Sequence, residues 1–162
     1  MSEKKEVIFK VENLRTWFPI TKGAFKKVVG YVKAVDDVCL EVYRGETLGI
    51  VGESGCGKST LGKTMMMLEK ATGGQVLFNY GGEFRDITKF NAKEMFDFRK
   101  KVQMVFQDPY SALNPQKKIY TSFEEPLKVH GVSSEAEREA IMQRVLKMVN
   151  IQPDYLMRYP HE

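Results

Sequence analysis

Apolar and polar residues alternate from Val7 to Val11, the period of a strand with one buried face. A second strand is expected over residues 32–42, with Val38, Leu40 and Val42 on one face and Asp37 and Glu41 on the other. Between them runs a basic stretch that reads as irregular, punctuated by Pro19, Gly23 and Gly30. Arg44-Gly45-Glu46 then turns the chain. Residues 47–51 and 102–106 are short, nearly continuous apolar runs, a pattern that predicts strands buried on both faces as in a parallel sheet. Helical periodicity predicts a helix over 58–70, stopped before Gly73-Gly74, and another over 91–101. A strand over 75–80 ends at the Gly81-Gly82 turn. A last helix is expected over 134–150, opened by a Ser134/Glu137 capping box and carrying an apolar stripe of Ile141, Val145, Met148 and Val149.

Alternating short strands and helices in 162 residues point to one α/β domain with a core of its own. The composition, 43% hydrophobic and 28% charged, is that of a globular chain and excludes a disordered one. No run approaches the roughly 20 apolar residues of a membrane-spanning helix. The polar first residues lack the apolar segment of a secretory signal, so a cytoplasmic setting is expected. Cys39 and Cys56 are far apart and form no metal-binding or redox pair. The net charge of +4 is mild but uneven: no acid lies between Glu12 and Asp36, where Arg15, Lys22, Lys26, Lys27 and Lys33 gather. That stretch reads either as a solvated basic loop or as a contact for acidic phospholipid or a nucleotide tail. No nucleic-acid module or arginine-aromatic interleaving is present, so no nucleic-acid partner is expected.

The strongest chemical signal is Gly52-Glu53-Ser54-Gly55-Cys56-Gly57-Lys58-Ser59-Thr60, a full match to GxxxxGK[ST]. Glycines let successive backbone N–H groups turn inward around phosphate oxygens. A helix starting at Lys58 adds its positive end to the same anion site. Lys58 can reach the β- and γ-phosphates, and the Ser59 hydroxyl can ligate Mg²⁺. Cys56 reads as a small residue that fits the loop. Many enzyme classes share such a loop, so a second feature must separate them.

That feature is residues 102–115, in which Gln107 ends an apolar run and begins a proline-bearing loop. A side-chain amide there can offer its oxygen to Mg²⁺ or to an attacking water. The loop wording from Val51 to Thr60 resembles the Walker A of ABC transporter ATPases, and Phe106-Gln107-Asp108-Pro109 resembles their Q-loop. The longer run from Gln107 to Pro115, and Lys33-Ala34-Val35-Asp36-Asp37-Val38, are similar to the oligopeptide and dipeptide importer branch, and more to the second of its two ATPase subunits.

The resemblance covers nearly the whole chain. It implies a P-loop NTPase fold with an N-terminal antiparallel β subdomain (residues 1–46 and 75–90), a P-loop core with Q-loop (47–74 and 91–115) and the start of a helical subdomain (116–162). It implies ATP and Mg²⁺ as cofactors, with Ser59 and Gln107 at the metal and Gln107 in catalysis. It implies a homologous second ATPase subunit and transmembrane permease subunits, met through the Q-loop region, as partners at the cytoplasmic face of the membrane. The family stacks adenine on an aromatic residue past an Asn-Leu pair, which from Asn13-Leu14 points to Phe18, with Trp17 and Tyr31 as rivals. In the resembling ATPases the wording at Arg158-Tyr159-Pro160-His161-Glu162 leads into the signature motif. A cassette truncated there lacks the strand that would lie between residues 47–51 and 102–106, so both are expected to have an unpaired edge and ATP turnover is expected to be absent. The alternatives are a nucleotide-binding remnant without turnover and a P-loop small-molecule kinase.

Overall fold

The computed structural model describes residues 5–108 and 112–162. The chain divides into two compact units, Met1–Met104 and Val105–Glu162. The first is built on a four-stranded antiparallel sheet in the order β2-β1-β3-β4. Its strands are β1 (Val7–Lys22), β2 (Lys27–Tyr43), β3 (Gly73–Asn79) and β4 (Phe84–Asp86), with helices α1 (Lys58–Met65) and α2 (Ala92–Lys101). Phe9, Val11 and Leu14 of β1, Val35 of β2, Val76 of β3, Leu61 of α1, Phe98 of α2, and Ile87 of a short 3-10 helix (Ile87–Lys89) form one buried cluster. Phe78 joins it edge-on to Phe98, with ring centroids 5.4 Å apart.

The stretch expected to be irregular is instead the distal half of a long hairpin. β1 and β2 stay paired out to Lys22 and Lys27, and the turn closes where the Lys26 N–H donates to Gly23 O at 3.1 Å. Trp17, Phe18, Ile20, Val28, Val29, Tyr31 and Val32 are β-branched, aromatic or aliphatic, and favour a pleated ladder over a coil. β3 pairs with β1 only as far as Arg15, so the hairpin beyond is two-stranded, and there Pro19 is tolerated. A kink lies below that point. Asn13 and Asp37 both take left-handed backbone angles, φ 47° and 57°, and the Asn13 side-chain amide donates to Asp37 Oδ1 at 3.2 Å. Arg15 reaches the same oxygen at 3.1 Å and holds the Asp37 carboxyl below the usual carboxylate range.

Residues 47–51 and 102–106 belong to no ladder among the described residues. Val51 is 92% exposed and Val105 94% exposed, so the doubly buried strands that their apolar runs predict are not formed. A strand exists only beside a neighbour that takes up its N–H and C=O groups, and among the described residues no such neighbour stands there. α1 is also shorter than the pattern suggested. It stops at Met65, where Met67 turns left-handed with φ 55°.

The second unit holds α3 (Ile119–Val129), α4 (Glu135–Met148) and a 3-10 helix (Pro153–Met157). Its core is Met142, Leu146 and Leu156, packed by Ile119, Tyr120, Phe123 and Leu127. Ser134 caps α4, accepting from the Glu137 N–H, which is one half of the expected capping box. The buried face, however, is Arg138, Met142 and Leu146. Of the expected stripe, Met148 is 77% exposed and Val149 58% exposed. Arg138 explains the rotation. Its Nη1 donates to the carbonyls of Val132 and Ser133 at 3.0 and 2.6 Å and its Nη2 pairs with Glu124 at 3.2 Å, so both terminal nitrogens of the buried charge are bonded and Nε alone is not. Among the described residues no helix is long and apolar enough to cross a membrane.

Candidate functional site

The site begins with one glycine. Gly57 precedes α1 with φ 97°, a conformation side chains rarely adopt. A Cβ at Gly57 would stand 2.0 Å from the Ala34 carbonyl oxygen. That carbonyl is there because β2 carries one extra residue. Thr16 pairs with Val35 and Trp17 with Lys33, which leaves Ala34 bulged out of the register. The bulge is tied down on the hairpin itself. The Trp17 indole N–H donates to Asp36 Oδ1 at 3.0 Å, Lys33 donates to Asp36 Oδ2 at 3.2 Å, and the Lys33 ammonium sits 4.3 Å over the Trp17 ring.

From Gly57 the chain enters α1, and the Leu61 N–H donates to Gly57 O at 2.8 Å as the first helical bond. The helix is fixed to the sheet through Leu61, which is buried, and through Thr64, whose hydroxyl meets that of Thr16 at 3.0 Å. Ahead of it the loop from Gly52 to Gly57 curls with Gly55 also left-handed, at φ 81°. Gly52 lies under the Cys56 thiol, where a Cβ would come within 2.7 Å of Sγ. The Lys58 ammonium folds back over the loop and donates to Gly52 O at 2.8 Å and Glu53 O at 2.6 Å. Cys56 Sγ lies 3.5 Å from the same nitrogen. The side chains of Glu53, Ser54, Cys56 and Ser59 are exposed, and those of Lys58 and Thr60 half-buried. Beside the loop is a cavity of about 360 Å³ lined by Ala34, Asp36, Val51, Cys56 and Lys58 among others.

Of the nine loop residues expected from sequence, Gly52 to Thr60, the structure brings Gly52, Glu53 and Cys56 to the Lys58 ammonium, with Gly57 at the start of α1 and Ser59 and Thr60 in its first turn. The glycines make room, the helix supplies unpaired N–H groups, and Lys58 supplies the cation, which suits a polyphosphate. Phe18 shares with Thr16 the β1 face that meets α1, and it is 39% exposed. Trp17, on the opposite face, is already bonded to Asp36 and covered by Lys33, and its ring centroid lies 6.1 Å from that of Tyr31. Gln107 is exposed and belongs to the second unit, whereas the loop belongs to the first. Pro109, Tyr110 and Ser111 of the run after Gln107 lie outside the described residues. Pattern reading missed the seat that Ala34 offers Gly57. The sequence does carry Lys33-Ala34-Val35-Asp36, but a bulge is a matter of register and leaves no periodic trace.

The ABC transporter family model matches residues 35–160. The chain is 43% identical over 158 residues to the oligopeptide transport ATP-binding protein AppF of Bacillus subtilis, covering 98% of this chain and 47% of that protein. It is 40% identical to the oligopeptide transport ATP-binding protein OppF of the same organism, covering 97% of this chain and 48% of that protein. It is 38% identical to the glutathione import ATP-binding protein GsiA of Escherichia coli, covering 97% of this chain and 25% of that protein. The chain thus spans about half the length of the two oligopeptide transport proteins, or less in the third. Among solved structures it is similar to a dimeric ATP-binding cassette described in a post-hydrolysis state with ADP and Pi. The TM-score is 0.72 at 23% identity, covering 95% of this chain and 62% of that one, a likeness of fold.

Proposed function

We propose that this chain, which belongs to the ABC transporter family, supplies the nucleotide-holding face of an ATPase subunit that drives uptake of peptides. The observation that carries the reading is the curled loop closed by Lys58 at the head of α1 and seated on Ala34. The oligopeptide and glutathione transport relatives support peptides as the cargo class. In this reading the N–H groups of residues 52–60 and the Lys58 ammonium surround the β- and γ-phosphates of ATP. Phe18, the half-exposed aromatic on the α1 side of β1, stacks on the adenine. Mg²⁺, held by the Ser59 hydroxyl and the Gln107 amide, would neutralise charge on the phosphate oxygens. The partners are a homologous second ATPase subunit and membrane-embedded permeases, which would hold the protein at the cytoplasmic face of the membrane. Membership of the family sets the small-molecule kinase alternative aside.

Titration with a fluorescent ATP analogue tests the reading. Charge-assisted hydrogen bonds are each worth roughly 1.5–3 kcal/mol, so Lys58→Ala should weaken binding about tenfold or more. Ser59→Ala should chiefly remove the dependence of binding on Mg²⁺. Undiminished affinity in the lysine variant would sink the assignment. A second reading, nucleotide binding without turnover, is favoured for a polypeptide of these 162 residues alone. Gln107, the residue expected at the water, is a neutral amide and cannot take its proton. Phosphate release from that polypeptide should not exceed release from its Lys58→Ala variant; sustained turnover above that control would refute it.

A further inference from the structure

We infer that the far end of the β1–β2 hairpin docks directly on an anionic phospholipid surface. Among the described residues no third strand pairs with the hairpin beyond Arg15, and past the contacts of Thr16 with α1 and of the Trp17 N–H with Thr72 its distal end stands clear of the sheet. Its tip is apolar. Phe25, in the turn, is 98% exposed, and Val28, Val29 and Ile20 behind it are 45%, 57% and 46% exposed. Around these stand Lys22, Lys26 and Lys27, all exposed and in no ion pair among the described residues. Lys22 and Lys27 face each other as the last pair of the ladder, so two like charges adjoin with no acid between them. The nearest acid along β2 is Asp36, and it is already occupied by Lys33 and Trp17.

This arrangement has one fitting partner. Lysines on an unpaired edge can be a guard against strand-to-strand aggregation, but a guard does not need a bare phenylalanine at its centre. Nucleic acid would satisfy the lysines and offer nothing to Val28, Val29 and Ile20. A bilayer surface satisfies both classes. The aromatic and aliphatic side chains enter the headgroup boundary while lysine stems extend to the lipid phosphates. The backbone allows it, because the tip is bonded internally through the Lys26 N–H to Gly23 O contact and the Lys22–Lys27 pair. The inference does not depend on the nucleotide reading, since it uses no residue of the phosphate loop.

The chain's only tryptophan, Trp17, lies on this hairpin and reports on it without a label. The purified chain is mixed with phosphatidylcholine vesicles, with or without phosphatidylserine, and followed by flotation and by Trp17 emission. It should float with the phosphatidylserine vesicles at low salt and be released by high salt. Trp17 emission should change on binding, and a Phe25→Trp variant should add emission that brominated acyl chains quench. K22E/K26E/K27E should bind roughly a hundredfold more weakly, and Phe25→Ser about tenfold more weakly. Circular dichroism should show both variants folded as the parent. Equal flotation on neutral and anionic vesicles, unchanged binding by the triple variant, or absence of quenching in the Phe25→Trp variant would overturn the inference. So would binding to an RNA oligonucleotide in preference to phosphatidylserine vesicles.

Discussion

Gly57, Gly49 and Gly62 are the same residue type with three different fates. Gly57→Ala forces a side chain into a left-handed position, which costs roughly 1–3 kcal/mol, and drives its Cβ into the Ala34 carbonyl. Urea unfolding should show at least that loss, together with weakened ATP binding. Gly49 has open space around the site of a Cβ, and Gly49→Ala should leave stability nearly unchanged. Gly62 is inside α1 and equally open, so Gly62→Ala should stabilise by roughly 0.5–1 kcal/mol. A ranking in which Gly57→Ala is as mild as Gly49→Ala would contradict the seat on β2. Cys56 gives an independent readout of the same loop. Its thiol is exposed 3.5 Å from the Lys58 ammonium, so a maleimide should label it and bound ATP should protect it. Cys39 is also exposed, but its sulfur accepts from the Asn13 N–H on the hairpin, and its labelling should not respond to ATP. Peptide mapping with and without nucleotide separates the two.

α2 is the element whose ends are most fully determined by local chemistry. The Asn91 side chain accepts from the N–H groups of Lys93 and Glu94, and the Glu94 carboxylate accepts from the Asn91 N–H, a complete capping box. Asn91→Ala should cost about 1 kcal/mol in urea unfolding. The Asn91 N–H, and beyond it the Arg85 guanidinium, hold the Glu94 carboxyl below the usual carboxylate range. A depressed folded value means that the cap contributes fully above the unfolded value of about 4.3 and is lost as pH falls through the lower folded one. Helical dichroism should therefore fall in acid, and Glu94→Gln should flatten that dependence. This helix was legible in the sequence because its stop and start signals are local. The phosphate loop was legible for the same reason: its spacing is its mechanism. The long hairpin was not, because glycine and proline are loop signals only on average, and here the aromatic and β-branched residues around them outweigh that signal. The core face of α4 differs from the expected stripe because it includes a charged residue, Arg138, which an apolar pattern does not count. Only its carbonyl and Glu124 partners, far from it in periodicity, make its burial acceptable. α3 left no clear signal, since Pro126 stands inside it.

At the scale of the molecule, the two compact units meet in sequence at Met104 and Val105, inside a segment with no ladder bonds. Brief chymotrypsin treatment should cut first after Phe106, which is 49% exposed, and release two resistant fragments. First cleavage within β1 or α2 would contradict that division. The lysine of the phosphate loop has a consequence of another kind. Lys58 holds two carbonyl oxygens, so no anion enters an idle cation; it must win the ammonium away from Gly52 and Glu53. A singly charged or well-hydrated ion offers too little in exchange, and free orthophosphate should leave the lysine where it is. A chain of phosphates gathers several negative charges within the reach of one loop and can outcompete the carbonyls. On the proposed reading the loop would act as a threshold device, deaf to the most abundant anions in its surroundings and responsive to the dense charge of a triphosphate.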